Sequence, residues 1–191
     1  MTHSKTSCSM VEQQVRQWLE QVVIGLNLCP FASKPYQAQQ IRFVVSECQT
    51  TESLLTELAT ELALLSQKTP EEIETTLLIL PNMLDDFDDY NQCLNHVDAL
   101  IEQLNYQGVF QVASFHPNYQ FGGTQPEDAE NLTNRAPFPI LHLIREASLE
   151  RVLKHYPNPE QIPENNIKCV SNLSKQEKQH LFPYLFGSNH S

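Results

Sequence analysis

Glycine is scarce in this chain, with five residues in 191. Neither G-x-G-x-x-G nor G-K-[ST] occurs, so the glycine loops that bring backbone N–H groups up to a nucleotide's phosphates are missing. A G-x-S-x-G elbow is missing too, which removes the usual way of raising a serine nucleophile above a sheet. Cys8, Cys29, Cys48, Cys93 and Cys169 are odd in number and far apart, with no C-x-x-C. That pattern argues against a disulfide framework or a zinc ribbon and fits reduced cytoplasmic thiols. Long apolar runs are lacking as well. The longest uncharged one, VVIGLNLCPFA, is too short to span a bilayer, and MTHSKTSCSM has no apolar run behind a positive segment. A cytoplasmic location is therefore expected. Positive charge is the last shortage: 12 basic residues stand against 23 acidic ones, for a net charge of −11. Such a chain repels phosphate backbones and anionic lipid heads, so neither nucleic acid nor membrane is expected as a partner. Any anionic ligand needs a local basic pocket inside this negative field.

What is present reads as an α/β fold. Val11, Val15, Trp18, Leu19, Val22 and Leu26 recur at helical spacing and predict a helix over about 10–28, stopped by Pro30. IRFVVSE, Ile41 to Glu47, has strand composition. Thr50 or Thr51 can cap a helix whose stripe is Leu54, Leu55, Leu58, Leu62 and Leu65. TTLLILP, Thr75 to Pro81, is a continuous apolar run, the sign of a strand buried on both faces. A third helix carries Phe87, Tyr90, Leu94, Val97, Ile101 and Leu104 and ends at Gly108 as a left-handed cap. VFQVASF, Val109 to Phe115, is the third strand. Strands joined through whole helices imply right-handed crossovers and a small, at least partly parallel sheet of about three strands covered by helices. Pro139 is read as opening a helix that runs to about His155. Ser174 with Glu177 makes a capping box for a last helix ending near Gly187. Residues 1–191 are expected to form one domain, with 1–9 and 188–191 as flexible ends.

Parallel sheets bind ligands beyond their carboxyl ends, here Ser46 and Glu47, Pro81 and Asn82, and Phe115 to Asn118. The stretch FHPNYQFGGT starts at such an end and opens a segment of more than twenty residues with little regular pattern. That length in a compact domain points to function or disorder, and Tyr119, Phe121, Leu132 and Phe138 supply too much apolar material for disorder. His116 either satisfies a loop carbonyl or faces a ligand. Read as a helix, NRAPFPILHLIREAS puts Arg145 in the middle of an apolar stripe with His142 at its edge. A guanidinium there requires a partner, either an internal carboxylate or an anionic ligand. Arg135, just before the Pro-rich entry, would join Arg145 and the helix start in an anion pocket. Cys29 is either the last residue of the first helix, where the dipole raises its pKa, or the N-cap of a new turn, where the thiolate is favoured. Paired with His116 or His142 it could act as a nucleophile or hold a metal, and Cys-Pro can serve as a haem ligand. Asp85, Asp86, Asp88 and Asp89 suit a helix N-terminus and lack the calcium-loop pattern. No metal site is assigned, and the cofactor is left unknown.

GLNLCPFA, FHPNYQF and NRAPFPILHLIREAS resemble a family of bacterial proteins catalogued only as a domain of unknown function. The resemblance extends from the first helix to the last. It implies a stand-alone bacterial cytoplasmic protein and carries no catalytic residue with it.

Two functions follow from the residues. The first is an enzyme acting on a small anionic metabolite. There His116 and His142 serve as acid and base, Cys29 as nucleophile, and Arg135 and Arg145 as anion clamps, with Asn118, Tyr119 and Asn82 lining the site. The second is a non-catalytic binding or assembly protein in which His142 and Arg145 are satisfied core groups. A pocket shared by His116 and Arg145 separates the two.

Overall fold

The structure is a computed structural model and describes residues 8–186. Of the ends expected to be flexible, 1–9 and 188–191, residues 1–7 and 188–191 lie outside the described residues, as does the helix end near Gly187, while Cys8 and Ser9 already belong to the first helix. The first helix, α1 (Cys8–Trp18), runs on into a π-helical turn (Leu19–Ile24). Wider bonds mark that turn: Gly25 N–H donates to Glu20 O at 2.9 Å and Leu28 N–H to Val23 O at 2.9 Å. A Cβ at Gly25 would collide with the Gln21 carbonyl, so the exit from the turn needs glycine.

A short helix, α2 (Ser33–Gln37), leads into β1 (Ile41–Val45). Next come α3 (Thr51–Gln67), β2 (Thr75–Ile79), α4 (Phe87–Gln103) and β3 (Phe110–Phe115). The caps follow from composition. Thr50 Oγ1 accepts from Ser53 N–H at 3.2 Å, and Asp86 Oδ1 accepts from Asp88 and Asp89 N–H at 2.9 and 3.1 Å. After α4 the chain turns through Asn105 at φ 58° and then Gly108 at φ 72°, so the left-handed position at the helix end is asparagine and the glycine serves the following turn.

NRAPFPILHLIREAS departs from expectation. Residues Ile140–Arg145 form a strand, β4, and only Glu146–Leu153 form a helix, α5. Apolar residues at 140, 141, 143 and 144 satisfy helical spacing and also a strand buried on both faces, and the tertiary setting decides. β4 fills the slot between β2 and β3, antiparallel to both, in a sheet of order β1-β2-β4-β3 whose β1 and β2 are parallel. The sheet therefore has four strands, with the three expected ones pointing the same way and β4 reversed among them. The rest is helical: α6 (Ile162–Ser171) and α7 (Lys175–Leu181), the latter opened by the expected Ser174–Glu177 capping box.

The sheet separates two cores. On one face Leu77, Ile79 and Ile140 pack with Val11, Val15, Trp18 and Val22 of the first helix and with Val170 and Phe182 near the C-terminus. On the other, Leu78, Leu80, Leu141 and Leu143 pack with the α3 leucines and with Tyr90, Val97 and Ile101 of α4. β2 is buried at every position, as its unbroken apolar run requires. Among the described residues no helix is long and apolar enough to cross a membrane.

Candidate functional site

β1, β2 and β3 finish on one edge of the sheet, the edge at which β4 begins. An open cavity of about 570 Å³ lies there, between the end of β1 and the first turns of α3, lined by Val45, Glu47, Cys48, Gln49, Thr50, Ser53 and Glu57. Ser46 is buried behind it and ties the cavity to the sheet: its N–H donates to Ile79 O at 2.8 Å, and its carbonyl accepts from Asn82 Nδ2 at 3.3 Å. The Ser46 hydroxyl donates to Glu57 Oε2, and the Cys48 thiol donates to the same oxygen at 3.3 Å. Cys48 N–H in turn donates to Ser46 Oγ at 3.1 Å. Glu57 Oε2 is thus engaged twice, while no described side chain or N–H donates to its Oε1. Neither Glu47 nor Glu57 forms an ion pair among the described residues.

Further along the same edge, His116 follows β3 and is fully buried. Its Nε2 lies 2.9 Å from Leu84 O and its Nδ1 accepts from Asn118 N–H at 3.0 Å, which fixes the neutral tautomer with the proton on Nε2. Burial pushes its pKa down, against the pull of the Leu84 carbonyl and of Asp85 and Asp86. The ring packs against Phe87 and Tyr90 at 5.3 and 5.1 Å between centroids, and Phe87 continues to Tyr119 at 5.2 Å. Asn118 contributes its backbone N–H to this arrangement.

Arg135 holds the long segment between β3 and β4. Its Nε donates to Tyr119 O at 3.2 Å and its Nη2 to Pro126 O at 2.7 Å. Its own carbonyl accepts from Trp18 Nε1 at 3.0 Å and from the Tyr184 hydroxyl at 3.1 Å, so α1 and the C-terminal turn meet on it. Burial lowers the pKa of this half-buried guanidinium, with Tyr184 and Glu127 opposing. No carboxylate lies within ion-pair distance of it among the described residues.

Arg145 and His142 sit elsewhere. The register pairs Phe115 with Ile140 and Phe110 with Arg145, so Arg145 lies at the opposite edge of the sheet, six residues along β3 or roughly 20 Å from His116. The pocket expected to join them is not formed. Nη2 of Arg145 donates to Leu65 O at 2.6 Å, Lys68 O at 2.7 Å and Ile73 O at 3.0 Å, and Nε reaches Ile73 O at 3.2 Å. The guanidinium thereby satisfies carbonyls at the end of α3 and, at Ile73, in the connection to β2, instead of an anion or a carboxylate. The internal arginine–carboxylate pair belongs to Arg42 and buried Glu61, bidentate at 2.7 and 3.0 Å.

On β4 the side chains of 140, 142 and 144 face α1 and those of 141, 143 and 145 face α3. His142 Nε2 meets Thr75 Oγ1 at 2.7 Å, and that hydroxyl donates to Leu143 O at 2.5 Å. Thr75 therefore accepts the imidazole proton. Burial pushes the pKa of His142 down to about 4. Cys29 follows the π-helical turn. Backbone bonds from Phe31 and Ala32 lower its pKa, as an N-cap position would, but burial outweighs them and leaves it raised. All five cysteines are free, and among the described residues no three His, Cys, Asp or Glu side chains gather where they could hold a metal ion.

Ser46, Glu47, Asn82, His116 and Asn118 thus lie at the strand ends on one edge, and Arg145 lies off it. Cys48 and Glu57 join that edge without having been expected there. A usable signal existed: Glu57 and Glu61 stand four apart on the flank of the Leu54, Leu58, Leu62 stripe, where a carboxylate turns toward the sheet.

Residues 10–180 match the model of a family described as a protein of unknown function (DUF1415), and the chain belongs to that family. Comparison with curated proteins and with solved structures gives no match.

Proposed function

We propose that this family member binds a small molecule at the carboxyl edge of its sheet, in the cavity between β1 and α3, with Glu57 as the group that recognises it. The observation that carries the reading is the carboxylate itself. Oε2 is fixed by the Ser46 hydroxyl and the Cys48 thiol, while Oε1 of this cavity-lining residue has no donor. A carboxylate held in place with one oxygen unmet is preorganised to accept a hydrogen bond from a ligand. The lining holds Glu47 and Glu57 and no basic side chain, so it favours a neutral or cationic molecule bearing N–H or O–H donors over an anion. Free thiols throughout and the acidic surface agree with a cytoplasmic setting.

The test is a thermal-shift and calorimetric comparison of wild type with Glu57→Gln against small amines and polyols, with carboxylates and phosphates as the contrasting set. Binding of a donor-bearing compound that Glu57→Gln abolishes supports the reading. No binding from either set, or binding that Glu57→Gln leaves intact, overturns it.

A second reading rests on Arg135. A half-buried guanidinium whose described partners are only the carbonyls of Tyr119 and Pro126 retains its full charge and spare N–H donors. In that reading the partner is a small anion bound beside Tyr119 and Asn118, with His116 as the adjoining imidazole. Phosphate or carboxylate binding that disappears in Arg135→Ala and persists in Glu57→Gln would favour it over the first.

A further inference from the structure

The outward face of α3 has a composition at odds with the rest of the surface. A groove of about 800 Å³ runs along it, closed on one side by Leu100 of α4. The helix has 17 residues, about 25 Å of length. Over that length only Glu52, at its start, contributes a charge to the lining, in a chain whose net charge is −11. The floor is made of Thr56, Ala59, Thr60 and Ala63. Both threonine hydroxyls are satisfied inside the helix, Thr56 Oγ1 on Glu52 O at 3.0 Å and Thr60 Oγ1 on Thr56 O at 2.9 Å. They can be covered without leaving a donor unpaired, so the floor behaves as an apolar one.

The pattern along the groove is its own mirror. Ala59 and Thr60 stand at the centre, Thr56 and Ala63 on either side of them, Leu55 and Leu64 beyond, and Glu52 and Gln67 at the ends. We propose that this face is the interface of a two-fold homodimer in which α3 packs antiparallel against α3 of a second copy. Turned about an axis between Ala59 and Thr60, each leucine meets the other leucine of the second copy, and the small central residues let the two backbones approach closely. Charge selects this arrangement over the others. Antiparallel packing brings Glu52 beside Gln67 and Lys68 of the second copy and opposes the helix dipoles favourably, whereas a parallel pair would set Glu52 against Glu52. Lys68 is exposed at that end of the groove in a surface pair with Glu72 at 2.7 Å, a weak pair whose ammonium Glu52 of the second copy would share. One helix face is smaller than the interface of a permanent dimer, so the association is reversible and concentration-dependent.

Sedimentation equilibrium of the full chain, from low micromolar to several hundred micromolar, tests the proposal. The wild-type mass should rise from monomer toward dimer across that range. Ala59→Glu and, independently, Ala63→Lys should each weaken dimerisation by about tenfold or more while leaving the circular dichroism spectrum of the monomer unchanged. Glu52→Lys, which turns an attraction into a repulsion at Lys68, should weaken it a few-fold. A wild-type chain that stays monomeric throughout overturns the proposal, whether or not the groove then takes a helix of another protein. A dimer that survives both central substitutions overturns it as well, and one indifferent to Glu52→Lys rejects the antiparallel pairing.

Discussion

At the edge where β1, β2 and β3 begin, Arg145 reaches across to the end of α3 and its donors meet the carbonyls of Leu65, Lys68 and Ile73. At the edge where those strands finish, Glu57 is fixed by Ser46 and Cys48 through one oxygen and keeps the other unmet beside a cavity. Both side chains sit close to α3, one near its last turn and one near its first. A charge whose partners are all internal holds the fold together. A charge positioned by its neighbours and left incomplete has capacity for something outside it. The contrast assigns stability to one edge and is the basis on which recognition is proposed for the other, although Arg145 looks the more functional of the two in sequence.

Removing the guanidinium is the severest way to break the comparison. Arg145→Ala leaves carbonyls at the end of α3 without their donor and should cost about 3 kcal/mol, read as a lower urea midpoint at unchanged slope. Arg145→Lys should recover less than half of that, because a single ammonium cannot reproduce the planar pair of donors in which Nε and Nη2 meet Ile73 O while Nη2 also reaches Leu65 and Lys68. If instead Arg145→Ala kept its stability and lost ligand binding, the two edges would have been assigned the wrong way round.

The partners of Arg145 show where reading the sequence stops. An arginine among apolar residues was bound to need partners, and that inference stands. Its partners are 72 to 80 residues away and are backbone carbonyls, which carry no side-chain signature. The strand assignment failed for a related reason. ILHLIR fits both periods, and what decides is the empty slot between β2 and β3, a property of the assembled sheet. Signals confined to a few neighbouring residues were legible: a cap at Thr50 or Thr51, the aspartates at the start of α4, the Ser174–Glu177 box and the all-apolar β2. The strand ends were legible too, which placed Ser46, Glu47, Asn82 and His116 on one edge. Glu57 was legible only as a carboxylate on the sheet-facing flank of α3, since its meeting with Ser46 arises only when α3 folds back on β1.

Acid should weaken the α1 face of the sheet, through His142. Its pKa is about 4 in the folded chain and about 6.5 when unfolded, so between those values the unfolded chain binds more protons. The contribution is fully present above about pH 6.5 and is lost as pH falls toward 4. The expected loss is about 2 kcal/mol, less than the whole shift would give because His142 is only partly buried as a residue. His116, also lowered by burial, acts in the same direction. His142→Gln should flatten most of this slope in chemical denaturation measured at a series of pH values, and a slope that persists unchanged would remove His142 as its cause.

Arg135→Ala should cost about 1 kcal/mol globally but speed hydrogen exchange chiefly over residues 119–126, the segment between the Tyr119 and Pro126 carbonyls that its side chain holds. Protection lost evenly along the chain would contradict that local role. Glu57→Gln is expected to have the smallest effect on the fold, within about 0.5 kcal/mol, because an amide oxygen can still accept from Ser46 and Cys48. Its effect belongs to binding: the unmet oxygen is replaced by an amide NH2 that cannot accept, and affinity for a donor-bearing ligand should fall about tenfold or more. The separation of the two readouts is the point of the substitution. A residue that served only the packing of α3 on β1 would show the opposite pattern, a loss of stability with affinity unchanged.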